Sequence, residues 1–88
     1  MALKVSYKPS FVRQMNKLPT SLQDEMMGRI ELLKDIKNHQ LLKVHKLHGR
    51  LRGYYAFSID FRNRIVFEYI SEVEVALLAV GDHTIYCE

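Results

Sequence analysis

Alternation of apolar and polar residues marks the first element of the chain. Residues 3–7 place Leu3, Val5 and Tyr7 on one side and Lys4 and Ser6 on the other. A period of two is typical of a half-buried strand. The apolar spacing then lengthens to three or four residues, so helices are predicted to follow the strand.

Two short helices form a predicted hairpin. In the first, Phe11, Met15 and Leu18 share one face, and Pro19 ends it because a residue that precedes proline is disfavoured in helical geometry. The second carries a stripe that runs towards residue 36. Its members are Leu22, Met26, Ile30 and Leu33.

The start and the middle of the second helix carry two further signals. Thr20 is followed three residues later by Gln23, and Ser21 by Asp24, so either pair predicts a capping box. Gly28 is costly inside a helix, which favours close packing against another backbone.

The second half of the chain reads as three strands. Tyr55, Phe57 and Ile59 alternate with smaller residues, and so do the bulky residues of the segment 64–70. The run 75–80 is apolar on both sides, as in an interior strand. We expect one α+β domain over residues 1–88, in the order β-α-α-β-β-β, with the helical hairpin on one face of a small, curved, mostly antiparallel four-stranded sheet. The predicted core comprises Phe11, Met15, Met26, Ile30, Phe67 and Leu77.

Positive charge is concentrated in the middle of the chain. Residues 42–64 contain six basic residues and one acidic residue, for a net charge of +5, whereas the whole chain carries +3 and the remainder therefore −2. This asymmetry indicates a polyanionic partner, with nucleic acid the usual one, although a solvated loop that serves solubility has the same composition. The basic residues are Lys43, Lys46, Arg50, Arg52, Arg62 and Arg64.

Several classes of protein are disfavoured by the sequence. Cys87 is the only cysteine, so an intrachain disulfide is excluded. No apolar run suggests a signal peptide or a membrane span, and a cytoplasmic protein without a membrane partner is expected. His45 and His48 lie in a loop without a fixed carboxylate or thiolate, so neither a metal nor another cofactor is predicted.

Candidate chemistry gathers where the last strand ends. His83 and Tyr86 follow Gly81 closely, and antiparallel pairing would bring them near Arg64, with residues 43–53 converging on the same concavity. Cleavage of RNA by its own 2′-hydroxyl needs a proton acceptor, a proton donor and fixed positive charge, which histidine and arginine supply. The alternative is structural: a histidine that caps a turn and a tyrosine that packs at the end of the chain.

Four segments together resemble the RelE/ParE superfamily of bacterial type II toxins, and its RelE/YafQ-like branch in particular. They are LPTSLQDEM at the start of the second helix, HKLHG before the sheet, RIVF on a strand and VGDHTIY at the end. The resemblance implies a toxin neutralised by an acidic antitoxin, a ribosome-dependent mRNA endonuclease that inhibits translation without a metal. It also implies a toxin–antitoxin complex that binds operator DNA.

The resemblance also implies roles for individual residues. Arg64 corresponds to an arginine at the scissile phosphate, His83 to a catalytic histidine, Tyr86 to a C-terminal aromatic used in catalysis or stacking, and His45 to a histidine of the YafQ-like toxins. The residues expected to bind RNA are Lys43, Lys46, His48, Arg50, Arg52 and Arg62.

One departure from the superfamily leaves alternatives open. Ala56 and Ser58 stand where relatives place charged or acid/base residues, so the general base is either His45 or His83. A ParE-like inhibitor of DNA gyrase, or a non-catalytic module that only binds the antitoxin, are the alternative functions.

Overall fold

A computed structural model describes residues 2–86, apart from the side chains of His83 and Tyr86. Two helices, α1 (Pro9–Met15) and α2 (Thr20–Leu33), follow the first strand, β1 (Lys4–Tyr7). The other strands are β2 (His45–Lys46), β3 (Tyr55–Ser58), β4 (Arg64–Ser71) and β5 (Glu74–Gly81). Short 3-10 turns occupy Ile36–Asn38, Gly49–Leu51 and His83–Tyr86.

The strands form one sheet in the order β1-β5-β4-β3-β2. β1 runs parallel to β5, and all the other neighbours are antiparallel. The predicted α+β architecture is therefore confirmed, with one addition. The sheet has a fifth strand, β2, whose two residues pair with Ala56 and Tyr55 and are too few to show a period in the sequence.

The core lies between the helices and one face of the sheet. Phe11, Met26, Ile30, Phe67 and Leu77 are fully buried, as predicted. The sixth predicted member, a methionine at position 15, packs partly buried against this cluster. In β4, the buried Ile65 and Phe67 point towards the helices, whereas Arg64, Val66 and Glu68 lie on the face opposite the helices, the open face. Val66 is nevertheless buried there.

Aromatic rings fill the part of the core next to β2. Phe67 has ring centroids 5.8 Å from Tyr55, 5.8 Å from Phe57 and 5.3 Å from Tyr69. His39 extends this cluster, since its Nε2–H donates to the Leu33 carbonyl oxygen at 2.8 Å. The other ring nitrogen, Nδ1, then accepts the Tyr69 hydroxyl at 2.8 Å, which fixes the tautomer of the neutral ring. Burial raises the pKa of that tyrosine.

Helix α1 supports the end of β5 where β1 no longer reaches. β1 ends at Tyr7, and β5 continues through a bulge at Leu78, which has no partner in β4. The Ser10 hydroxyl donates to the Leu78 carbonyl oxygen at 2.7 Å, and Gln14 Oε1 accepts the Val80 backbone N–H at 2.9 Å. Two side chains of a helix therefore satisfy backbone groups that a neighbouring strand would otherwise bind.

Two predictions about α2 are wrong. Pro19 occupies the N-cap position, so Thr20 is already helical and no side chain caps the helix. Gln23 instead donates its amide to the Leu18 carbonyl oxygen at 2.9 Å. Gly28 is exposed, and a Cβ atom added there would meet nothing within 4 Å, so no close packing requires this glycine.

Candidate functional site

Small side chains line the open face around Arg64. Ser58 of β3 and Gly81 of β5 are its cross-strand neighbours. Ala56 and Ala79 are the cross-strand neighbours of Val66, the next residue of β4 on the same face. The arginine opens β4 and is half-buried. Ile85 packs over Gly81 on the β5 side, so a ligand would approach the guanidinium from the side of Ser58.

The charge of Arg64 is not neutralised within the described part of the chain. The ion pair that the structure shows among residues 2–86 joins Lys34 to Glu31, far from this strand. On the same face, Glu68 lies four residues further along β4, a distance of about 14 Å at the rise of a strand. Among the described residues Arg64 thus has no ion-pair partner, and its guanidinium is a permanent cation whose planar fork fits a phosphate.

The C-terminal turn folds back beside Arg64. A Cβ atom at Gly81 would lie only 2.7 Å from Ile85 Cγ2, so the turn packs directly on this glycine. Asp82 Oδ1 accepts the Thr84 backbone N–H at 3.0 Å and the Thr84 hydroxyl at 2.5 Å, which shapes the turn. The backbone of the predicted residues 83 and 86 thus lies at this end of the sheet, and their side chains are outside what the structure describes.

His45 lies on the same open face, two strands away from Arg64. It pairs with Ala56, and the spacing of strands and residues places its Cα about 12 Å from that of Arg64. Its Nδ1–H donates to the Lys43 carbonyl oxygen at 3.1 Å. In the neutral ring Nε2 therefore keeps a free lone pair, as a proton acceptor requires.

The predicted basic residues separate into two groups. Lys43, which precedes β2, and Arg62, in the β3–β4 turn, lie towards the end of the sheet that holds Arg64. The others, Lys46, His48, Arg50 and Arg52, follow the chain towards the opposite end of β3. The expected convergence on one concavity is therefore wrong for this second group, because β2 runs antiparallel to β3 and carries the loop away from Arg64.

The second group forms a separate pocket of about 330 Å³. Lys46, His48 and Arg52 line it together with Tyr54 and Tyr55. Cations beside aromatic rings suit a negatively charged ligand, but this pocket is separated from Arg64 by the length of β3.

Sequence reasoning missed two features near Arg64. Phe61, in the β3–β4 turn, exposes 90% of its surface, the most of any large apolar residue among those described. Lys43 has a φ of 58°, in the left-handed region that suits glycine and asparagine. The run Asp60–Phe61–Arg62–Asn63 is a recognisable turn signal that could have drawn attention to the phenylalanine. The backbone strain at Lys43 has no sequence signal.

Two kinds of feature are absent from the described residues. No three histidine, cysteine, aspartate or glutamate side chains among them gather as a metal site would require. None of the helices in this part of the chain is long and apolar enough to cross a membrane.

Comparison with known proteins identifies the class of fold. No protein-family model and no curated protein sequence matches the chain. Solved structures do match, and they include YafQ and chains of RelE-type complexes from bacteria and an archaeon. The fold that the resemblance implied is confirmed.

Three of these structures illustrate the likeness. YafQ from E. coli has a TM-score of 0.80 at 11% identity over 98% of this chain and 99% of its own. A chain of the RelBE2 toxin–antitoxin complex from Mycobacterium tuberculosis has a TM-score of 0.71 at 19% identity over 94% and 100%. A chain of the RelE–RelB complex from Pyrococcus horikoshii OT3 has a TM-score of 0.72 at 16% identity over 93% and 96%. At such identities the likeness establishes the fold, and the function must be argued from the site.

Proposed function

We propose that this protein is the toxin of a toxin–antitoxin pair and acts as a metal-independent endoribonuclease on mRNA at the ribosome. The observation that carries the proposal is Arg64, a half-buried guanidinium on the open face that has no ion-pair partner among the described residues. Two of the solved structures with this fold are toxin–antitoxin complexes, RelBE2 and the E. coli DinJ–YafQ complex, which supports the first part of the proposal.

The open face suits a phosphodiester better than it suits a protein surface. A guanidinium without a carboxylate partner among the described residues favours an anion, and Ser58 is small enough for a backbone phosphate to approach it from the β3 side. Arg64 would stabilise the charge that develops on the phosphorus-bound oxygens as the ribose 2′-oxygen attacks.

Proton transfer completes the proposed reaction. The general base takes the proton of the 2′-hydroxyl as its oxygen bonds to phosphorus, and the general acid protonates the departing 5′-oxygen as the P–O5′ bond breaks. His45 and His83 are the two candidates for the base, and the free lone pair on His45 Nε2 supports the former. Tyr86 is proposed to stack on a base or to transfer a proton. The products are a 2′,3′-cyclic phosphate and a free 5′-hydroxyl.

The proposed partners follow from the charge of the chain. Lys43, Arg62 and the separate group of basic residues in the β2–β3 loop would hold phosphates of mRNA and ribosomal RNA. An acidic antitoxin would cover part of the same surface, with operator DNA as a partner of the complex. Opposite charge should raise the rate of association and make it sensitive to salt.

The test replaces Arg64 and measures cleavage in cells. Arg64→Ala should lower the cleavage of a reporter mRNA, followed by primer extension after induction, by about 10²–10³-fold, as the loss of an oxyanion-hole donor does. Arg64→Lys keeps the charge but loses the planar fork, and should recover only part of the activity. Arg13→Ala, an exposed arginine on α1, is the matched control and should cleave like wild type.

Gyrase-linked DNA breaks are measured in the same cells. If Arg64→Ala folds normally and still cleaves mRNA, the endoribonuclease proposal is wrong. DNA breaks without mRNA cleavage would assign the protein to gyrase inhibition instead. Growth arrest that is relieved by the product of a neighbouring gene would support the pairing with an antitoxin in either case.

A further inference from the structure

A groove of about 370 Å³ opens at the edge of the sheet, close to Arg64. Its lining includes Arg29 of α2, Leu41 and Lys43 ahead of β2, Ser58 at the end of β3 and Phe61 in the β3–β4 turn. The Cα of the serine is the cross-strand neighbour of the Arg64 Cα, at about 5 Å. Because Arg29 belongs to the helix layer and Ser58 lies beside Arg64, the groove extends round the sheet edge from the helix side to the face that carries Arg64.

Lys43 is held in a conformation that lysine seldom adopts. Its φ of 58° brings Cβ close to the following carbonyl, at a cost that glycine and asparagine largely avoid. The backbone is fixed there because its N–H bonds the Gln40 carbonyl oxygen at 3.0 Å and its carbonyl oxygen accepts from His45. The side chain that this strained backbone carries lines the groove and adds a cation to it.

Phe61 is displayed by a turn that holds its shape. Asp60 Oδ1 accepts the backbone N–H groups of Arg62 at 2.8 Å and Asn63 at 2.7 Å, and the Ile59 N–H bonds the Asn63 carbonyl oxygen at 2.8 Å. The phenylalanine itself is 90% exposed and lines the groove. An exposed ring on a fixed turn is preorganised to stack on a flat partner.

The charges of the groove favour a nucleotide over a protein segment as the partner that stacks on Phe61. Arg29 and Lys43 are both cationic, and the carboxylate of Asp60 is directed at the backbone amides of its own turn. Cations next to an exposed aromatic ring are the combination that binds unpaired nucleotides, with phosphates on the cations and a base on the ring. A strand of an antitoxin could pack an apolar side chain on the Phe61 ring, but it would also need carboxylates aligned with both Arg29 and Lys43.

We infer that this groove binds the unpaired nucleotide of single-stranded RNA next to the phosphate held by Arg64, with the base stacked on Phe61 and a phosphate bound between Lys43 and Arg29. The inference rests on the proposed function, since Arg64 sets the position of the scissile phosphate. It adds a subsite that would make cleavage depend on the base at one neighbouring position.

The absence of tryptophan from the sequence makes the stacking directly measurable. Phe61→Trp introduces a single indole, and a short 2′-O-methylated single-stranded oligoadenylate, which cannot be cleaved, should quench its fluorescence. Ile36→Trp is the control, because that isoleucine is 60% exposed and lies beside the β4–β5 turn at the other end of the sheet. Equal quenching of both variants, or none in either, would overturn the inference.

Two substitutions then separate function from structure. Phe61→Leu should weaken binding of the same oligonucleotide about 5- to 100-fold, as the loss of one stacked base does. Lys43→Asn should weaken binding and lower its salt dependence by about one counterion, yet raise Tm by a few degrees because asparagine tolerates the positive φ. Affinities that match wild type in both variants would refute the groove as an RNA subsite.

The same variants distinguish this inference from its premise. If Arg64→Ala retains mRNA cleavage, the proposed function fails. If Arg64→Ala abolishes cleavage while Phe61→Leu and Lys43→Asn bind RNA like wild type, only the subsite is refuted. Loss of affinity for the antitoxin without loss of RNA binding would overturn the inference in favour of a protein-docking groove.

Discussion

Replacing Gln14 by alanine tests how α1 holds the end of β5. The Gln14 side chain accepts the Val80 backbone N–H at 2.9 Å, beyond the point where β1 stops pairing with β5. Gln14→Ala leaves this N–H without its acceptor, and an unsatisfied buried donor costs about 1–3 kcal/mol. Because the bond is only partly buried and alanine is a better helix former, we expect a loss of about 1–2 kcal/mol.

Gln14→Ala should lower the stability of the whole domain and also loosen the end of β5. For a domain of this size, that loss lowers Tm by roughly 5–15 °C. Val80 precedes Gly81 and the C-terminal turn, so the amide of Val80 should lose more protection from hydrogen exchange than amides of α2. If the end of β5 loosens, the C-terminal turn beside Arg64 loses its support, and mRNA cleavage should fall together with this protection.

Matched variants make the result interpretable. Gln14→Glu keeps an oxygen acceptor at the same position and should restore stability at neutral pH, because a carboxylate binds a backbone N–H at least as strongly. Arg13→Ala removes an exposed neighbour on the same helix and should change stability by a few tenths of a kcal/mol. Equal stability of Gln14→Ala and Arg13→Ala in urea unfolding, with unchanged Val80 exchange, would show that the bond does not support β5.

Three further predictions concern the core, the glycines and the response to acid. Phe67→Ala should lose about 3–5 kcal/mol in urea unfolding because the ring is fully buried, and a loss below about 1 kcal/mol would contradict its place in the core. Gly81→Ala should displace Ile85 and destabilise the fold. Gly28→Ala, with open space around it, should stabilise the fold by up to about 1 kcal/mol. The test is that the Tm of Gly28→Ala lies above that of wild type and the Tm of Gly81→Ala below it. Backbone N–H bonds in the β3–β4 turn lower the pKa of Asp60, so its contribution is present above the unfolded pKa of about 3.9 and is lost as pH falls through the folded value. The stability of wild type relative to Asp60→Asn should therefore decrease as pH falls from 5, and a constant difference would contradict the bond pattern.

The sequence by itself determines the elements whose periods are long enough to read. The stripe of α2 and the alternation in β3 and β4 predict which side chains enter the core, because burial must follow the geometry of each element. Phe67 and Ile30 are fully buried for this reason. The face that carries Arg64 followed from the same alternation, since a residue beside a buried one in a strand must point the other way.

Two predictions that rest on short sequence patterns, the cap at Thr20 and the close packing at Gly28, are wrong. Thr20 has the composition of a cap, but the chain starts the helix one residue earlier, after Pro19. Gly28 looked like a packing contact, yet the position is open to solvent. In both cases the residue type permits a cap or a close contact, but the position of the surrounding chain decides whether it forms.

Only the tertiary structure decided how the basic residues are distributed. Lys43 and Arg52 lie nine positions apart in one charged run, but the pairing of β2 with β3 sends them to opposite ends of the sheet. The groove between Lys43 and Phe61 likewise joins segments that are distant in the chain. Periodicity reports burial within one element, whereas strand order and register depend on contacts between elements. The pairing of β2 with β3 therefore determines that the basic residues proposed to bind phosphate form two groups at opposite ends of the sheet.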